Sequence, residues 1–179
     1  MPTTHVLGLG NVLMGDDGFG PAVVRAFEAE YTVAGDVSVA DLGTPGLDLT
    51  PWLADVENVV IVDTVRSDLP AGSMRFYNKA DLLGRPPSVR SGPHEPGLTE
   101  ALATLEFAGR APRTVALIGV VPERIGMDLE LTPAVRAAIP VAVDAVARAL
   151  RYVGVPLTRR PVAAPVVPWW VTSEGQRSA

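Results

Sequence analysis

The sequence predicts a three-layer α/β/α domain built on a five-stranded, mostly parallel (mixed) twisted sheet. Three observations carry that expectation. Apolar runs of strand length alternate with helix-period segments from His5 to Gly154, the pattern of a sheet covered by crossover helices. The run Val59 to Val62 is apolar at every position, as a strand buried on both faces must be. The 179-residue length suits one domain with a full core. We place that domain at residues 1–154 and a Pro-rich C-terminal tail at 155–179.

The elements follow in order. Residues 5–10 are apolar and end in glycines, which reads as a buried strand feeding a tight turn. Gly18 to Glu30 has Val23, Val24 and Phe27 at helical spacing, with Arg25, Glu28 and Glu30 on other faces. Val37 to Leu42 is a second strand, and Thr44-Pro45 supplies an N-cap and first-turn proline for a helix reaching Ala54. After the central third strand at Val59 to Val62, Gly72 to Tyr77 follows too closely for a helical crossover, so this fourth strand is expected antiparallel.

A Pro/Gly/Ser-rich loop from Gly84 to Pro96 leads to a helix from Leu98 to Phe107 and a fifth strand from Thr114 to Val120. The last helix starts at Thr132-Pro133 and stops near Gly154, with a kink expected at Pro140. From Pro156 onward prolines recur and Trp169-Trp170 stands in a polar end; no packed element is expected there. The two tryptophans suit either a peripheral extension or a patch that docks on a partner.

Composition removes several classes of function. Without cysteine there is no disulfide, zinc-thiolate cluster, iron-sulfur ligation or thiol nucleophile. Acidic residues outnumber basic ones by 20 to 15, for a net charge of −5, so a nucleic-acid backbone meets repulsion. No apolar run approaches the ~20 residues that span a bilayer, and Met1-Pro2-Thr3-Thr4 lacks a signal peptide's charged region. A cytoplasmic protein with no membrane partner is expected.

The chemistry-bearing residues cluster at strand ends. Gly8-x-Gly10 suggests a dinucleotide fingerprint, but Leu13 stands where its third glycine belongs. Asp16 and Asp17 follow at the helix start, where a pyrophosphate would be repelled. Two roles are open to them: acids that cap free N–H groups and favour the helix dipole, or ligands. Asp63 directly follows the third strand, at the carboxyl end where open α/β sheets place their ligands. His94 lies in the loop Ser91-Gly92-Pro93-His94-Glu95-Pro96-Gly97, and the other histidine, His5, begins the first strand in a structural position. Two aspartates with a loop histidine would form an oxygen, oxygen, nitrogen donor set suited to nickel, zinc or cadmium. There is no HExxH motif and no G-x-S-x-G elbow.

The run from Gly8 through Asn11, Asp16, Asp17 and Gly18 to Gly20 resembles the opening motif of the hydrogenase maturation endopeptidases. Asp41-Leu42-Gly43-Thr44-Pro45-Gly46, the strand ending in Asp63, Pro93-His94-Glu95-Pro96-Gly97-Leu98 and Gly119-Val120-Val121-Pro122-Glu123 fall in the family's order. The resemblance covers residues 5–153 and implies a five-stranded mixed sheet between helices, a phosphorylase/hydrolase-like arrangement. It implies removal of a C-terminal extension from the large-subunit precursor of a nickel-iron hydrogenase once nickel has been inserted. The metal is then carried by the substrate, with zinc or cadmium as surrogates, and the protein is expected to be a monomer.

Carried over residue by residue, the resemblance makes Asp17, Asp63 and His94 the metal-contacting set, with Asp16 an alternative to Asp17; Asp17 stands where the family often has glutamate. Because one ligand would be histidine, metal engagement is expected to weaken below about pH 6.5. Asp41, at the end of the second strand, is open to two roles: activating the hydrolytic water, or capping the Gly43-Thr44 turn. Two competing functions are a non-catalytic nickel-binding chaperone for the same precursor and a peptidyl-tRNA hydrolase-like enzyme. The second would need a basic groove and an asparagine-histidine pattern that is not found after Asn11.

Overall fold

The computed structural model describes residues 3–44, 49–84 and 97–165. In chain order the elements are β1 (Thr4–Leu9), a 3-10 turn (Asp16–Gly18), α1 (Phe19–Glu30), β2 (Tyr31–Val33), β3 (Val37–Gly43), α2 (Thr50–Leu53) and β4 (Asn58–Thr64). They continue through β5 (Met74–Asn78), α3 (Lys79–Gly84), α4 (Gly97–Phe107), β6 (Thr114–Val120), α5 (Pro133–Tyr152) and β7 (Leu157–Arg159).

Five strands form the main sheet in the order β3-β1-β4-β6-β5. All neighbours are parallel except β5, which runs antiparallel to β6. The short link between β4 and β5 therefore has the consequence expected of it. Central β4 is buried along its whole length, because helices cover both of its faces.

On one face Val6, Val60, Val62, Ile118 and Val120 pack against α1 and α5. On the other, Leu7, Val59, Ile61, Val115 and Leu117 pack against Leu53, Leu82, Leu98 and Leu102 of α2, α3 and α4. Side chains alternate between these two cores along each strand, as the period of two requires.

The structure departs from the sequence reading at four places. A separate 3-10 turn precedes α1, which begins at Phe19 rather than Gly18. Helix α2 begins only at Thr50, with Pro51 in its first turn. Pro45 and Gly46 lie outside the described residues. Helix α3 follows β5 directly and is started by reciprocal caps: Asn78 N donates to Asp81 Oδ2 (2.9 Å) and Asp81 N to Asn78 Oδ1 (3.0 Å).

The fourth departure corrects the expectation that nothing packs beyond Pro156. Leu157–Arg159 pairs antiparallel with Tyr31–Val33, and Arg159 bonds Glu30 Oε2 at 2.8 Å while its guanidinium lies over the Tyr31 ring. The partners lie about 126 residues apart, as in the Thr32–Thr158 contact, so no local pattern reveals a three-residue strand of this kind. Helix α5 runs unbroken through Pro140, which is solvent-exposed. Trp169 and Trp170 lie outside the described residues.

Candidate active site

The site is built at the carboxyl ends of β1 and β4, which are adjacent and parallel. Two glycines let the acidic turn settle onto these ends. Gly10 has φ 132°, and a Cβ there would stand 1.8 Å from the Asp17 carbonyl oxygen. At Gly20 a Cβ would stand 2.2 Å from the carbonyl oxygen of Leu9 and 2.5 Å from that of Val62. Only hydrogen atoms fit in these gaps, so the backbone of the turn lies directly on the strand exits.

The two acids of the turn have different surroundings. Asp16 is fully buried and its carboxylate accepts four hydrogen bonds. Oδ2 takes the backbone N–H groups of Glu123 (2.8 Å) and Arg124 (2.9 Å) and the Thr132 hydroxyl (3.0 Å), and Oδ1 takes the Thr132 N–H (2.7 Å). This carboxylate ties the start of α1 to the segment between β6 and α5. Thr132 is thus a connector as well as the residue preceding α5, a role sequence reading missed because its partner lies 116 positions away.

Asp17, 1% exposed, faces the other way. Its Oδ2 accepts the Asn11 N–H at 3.0 Å, so the carboxylate rests against the first residues after β1. Asp63 closes β4 and is 8% exposed, with Oδ1 accepting the Thr64 N–H at 2.7 Å. Gly8 is level with Val62, which puts Asp63 one residue beyond the end of that pairing, beside Leu9. Asp17, bonded to Asn11 just after β1, and Asp63, at the end of β4, therefore lie at the exits of adjacent strands; the two strands themselves run about 4.8 Å apart.

Asp41 is not part of this pair. It is level with Gly8 on the face covered by α1, whereas Asp63 alternates with Val62 onto the opposite face. Its Oδ2 accepts from Arg25 Nη2 of α1 at 2.6 Å and its Oδ1 accepts the Gly43 N–H at 2.9 Å. These contacts favour the turn-capping role for Asp41. His5 Nδ1 lies 2.9 Å from the Trp52 carbonyl oxygen, as suits a structural histidine. His94 lies outside the described residues; the chain resumes three residues later at Gly97, the first residue of α4. Among the described residues no group of three His, Cys, Asp or Glu side chains could hold a metal ion.

Comparison with known proteins gives the family and the fold. Residues 21–149 match a family model described as hydrogenase maturation protease. The chain is 34% identical over 172 residues to the hydrogenase expression/formation protein HupD of Rhizobium leguminosarum bv. viciae, covering 93% of this chain and 83% of that one. It is 33% identical over 150 residues to the hydrogenase 2 maturation protease of Escherichia coli K12, covering 84% and 92%. Among solved structures, the hydrogenase maturating endopeptidase HybD from E. coli superimposes with a TM-score of 0.80 at 33% identity, over 88% of this chain and 98% of that one. The shared sheet, the coverage and the level of identity together establish that the chain belongs to the hydrogenase maturation protease family.

Proposed function

We propose that the chain is the endopeptidase that removes the C-terminal extension from the nickel-loaded large-subunit precursor of a nickel-iron hydrogenase. Asp17, Asp63 and His94 contact the nickel that the precursor carries, and that contact fixes the scissile bond at the carboxyl edge of the sheet. The observation that carries the reading is the division between the two acids of the turn. Asp16 is consumed by four internal hydrogen bonds, whereas Asp17 stands beside the exit of the strand that ends in Asp63.

Two carboxylates and an imidazole form a donor set suited to a divalent transition metal. Holding the reacting peptide at a fixed distance supplies several kcal/mol of barrier lowering by orientation. Asp41, tied to α1 through Arg25, holds the exit of β3 in this scheme. The protein works in the cytoplasm as a monomer, without nucleic-acid or membrane partners. No helix among the described residues is long and apolar enough to cross a membrane.

The test uses purified precursor with and without nickel, scored by mass spectrometry for loss of the extension. Cleavage of the nickel-loaded form alone is expected, and zinc or cadmium in its place tests how the metal is read. Equal cleavage of both forms would remove nickel as the checkpoint. Binding without cleavage would make the chain a chaperone instead.

A further inference from the structure

We propose that a polar cleft two strands along the sheet edge from Asp63 is a specificity subsite that receives a carboxylate of the peptide substrate about three residues from the scissile bond. This rests on the endopeptidase reading above. The cleft, of about 520 Å³, is lined by Arg66, Asp68, Arg75, Tyr77 and Pro122 among others. It opens at the carboxyl end of the sheet because Arg66 and Asp68 follow β4, Pro122 follows β6, and antiparallel β5 begins there with Met74 level with Val120.

Strand register sets its distance from the site. Asp63 is level with Gly119, and Gly119 with Arg75, so Asp63 and Arg75 share one row and one face. Two strand spacings separate them, roughly 10 Å. An extended peptide advances about 3.3–3.6 Å per residue, so three residues bridge that distance. Gly119 contributes no side chain to the row, and the methyl groups of Val65 occupy the place where its Cβ would stand, 2.5 and 2.6 Å away. The path from Asp63 to Arg75 is therefore floored by valine methyls rather than interrupted by a polar group.

The chemistry selects an anion. Arg25, Arg110, Arg113, Arg124, Arg136 and Arg159 each face a carboxylate. Arg66 and Arg75, both solvent-exposed, form no ion pair among the described residues, a feature they share with Arg148, Arg151 and Arg160, but these two alone among them line this cleft. Tyr77 steadies Arg75, whose Nε donates to the phenol oxygen at 3.3 Å with the guanidinium carbon 5.6 Å from the ring centroid. The two terminal nitrogens of Arg75 have no hydrogen-bond partner among the described residues, and a guanidinium offers such a pair to the two oxygens of a carboxylate. Among the described residues of the lining Asp68 is the one acid, so there two guanidiniums outweigh one carboxylate in a chain whose net charge is −5.

The test follows the arginine Nε–H signals by NMR, assigned with Arg66→Gln and Arg75→Gln. Acetyl-Ala-Ala-Asp-Ala-amide offers a side-chain carboxylate, acetyl-Ala-Ala-Ala a terminal one, and acetyl-Ala-Ala-Asn-Ala-amide neither. Saturable shifts of Arg66 and Arg75 are expected with at least one carboxylate peptide, which identifies the source, and not with the Asn peptide. With nickel-loaded precursor, the double variant is expected to raise KM about tenfold, as for one lost charge-assisted contact, with kcat changed less than threefold. Its KM should also lose the wild type's rise between about 50 and 500 mM NaCl.

Unmoved arginine signals, equal shifts with the Asn peptide, or a KM within twofold of wild type would each overturn the subsite. If wild-type protein leaves nickel-loaded precursor uncut, the endopeptidase reading fails by itself. The arginine titration then decides alone whether the cleft takes carboxylates.

Discussion

Replacing Asp16 with Asn should damage the fold, and replacing Asp17 with Asn should not. In Asp16→Asn the amide oxygen is best placed at the Oδ2 position, where it keeps the Glu123, Arg124 and Thr132 hydroxyl donors. The NH2 group then meets the Thr132 N–H, which bonds Oδ1 at 2.7 Å in the wild type. Two donors face each other in a fully buried place, which costs about 1–3 kcal/mol for the stranded group. The three remaining bonds also lose their ionic partner, and charge-assisted bonds are roughly twice as strong as neutral ones. A total of about 3 kcal/mol corresponds to a melting point lower by roughly 6–12 °C for a chain of this size.

In Asp17→Asn the amide oxygen can still accept the Asn11 N–H, so a shift of less than about 3 °C is expected, on the order of 1 kcal/mol. Thermal unfolding by circular dichroism, supported by urea midpoints, measures both. An Asp16→Asn protein melting within 2 °C of wild type, or an Asp17→Asn protein falling as far as its neighbour, would refute the assignment of roles.

Asp63→Asn keeps the Thr64 N–H acceptor while removing a charge from the strand exit, so loss of precursor processing with a melting shift under about 2 °C is expected. Asp41→Asn should cut processing less than tenfold, because its carboxylate is engaged with Arg25 and Gly43; a loss of about 100-fold or more would make Asp41 a general base instead. Gly20→Ala forces a methyl group against backbone at 2.2 and 2.5 Å, so urea unfolding should show a cost of at least about 2–3 kcal/mol, and near-neutrality would mean that the turn is not seated on the strands. At Asp55 the hydrogen bond from Arg110, reinforced by its charge, holds the carboxyl below the ordinary 3.8. The folded value is the lower one, so the pair's stabilisation is present above the unfolded value and is lost as pH falls through the folded one. Carboxyl-carbon NMR of Arg110→Met should show Asp55 titrating nearer 3.8, and an unchanged midpoint would remove Arg110 as the cause.

The main sheet was legible because its signals are local. The apolar runs of β1, β4 and β6 and a β4–β5 link too short for a crossover specify these strands and the antiparallel direction of β5 within short windows. Helix α3 had a readable signature in its reciprocal Asn78 and Asp81 caps, but these were hidden at the end of a strand. The β2–β7 ribbon and the Asp16 connection to Thr132 were beyond such windows, since each joins segments more than 100 positions apart. The residues alone left Asp16 and Asp17 open as caps or ligands, and only the family resemblance preferred Asp17, because adjacent residues on a tight turn face different surroundings only after the chain has closed.

That division has a physical logic. A carboxylate exposed to a cation must keep its position when the cation is absent, although its own charge then favours moving toward water. In the proposed reading Asp17 gives lone pairs to the metal of the substrate, so part of the turn's anchoring falls to its neighbour. Asp16 supplies the anchoring in its place, fixing the same turn to the β6–α5 segment through four bonds, while Gly10 and Gly20 seat it on β1 and β4. On that reading, rigidity and ligand capacity are thereby assigned to neighbouring residues. The same separation holds across the sheet, where Asp41 is engaged with Arg25 on one face and Asp63 stands on the other, in the row that leads to Arg75.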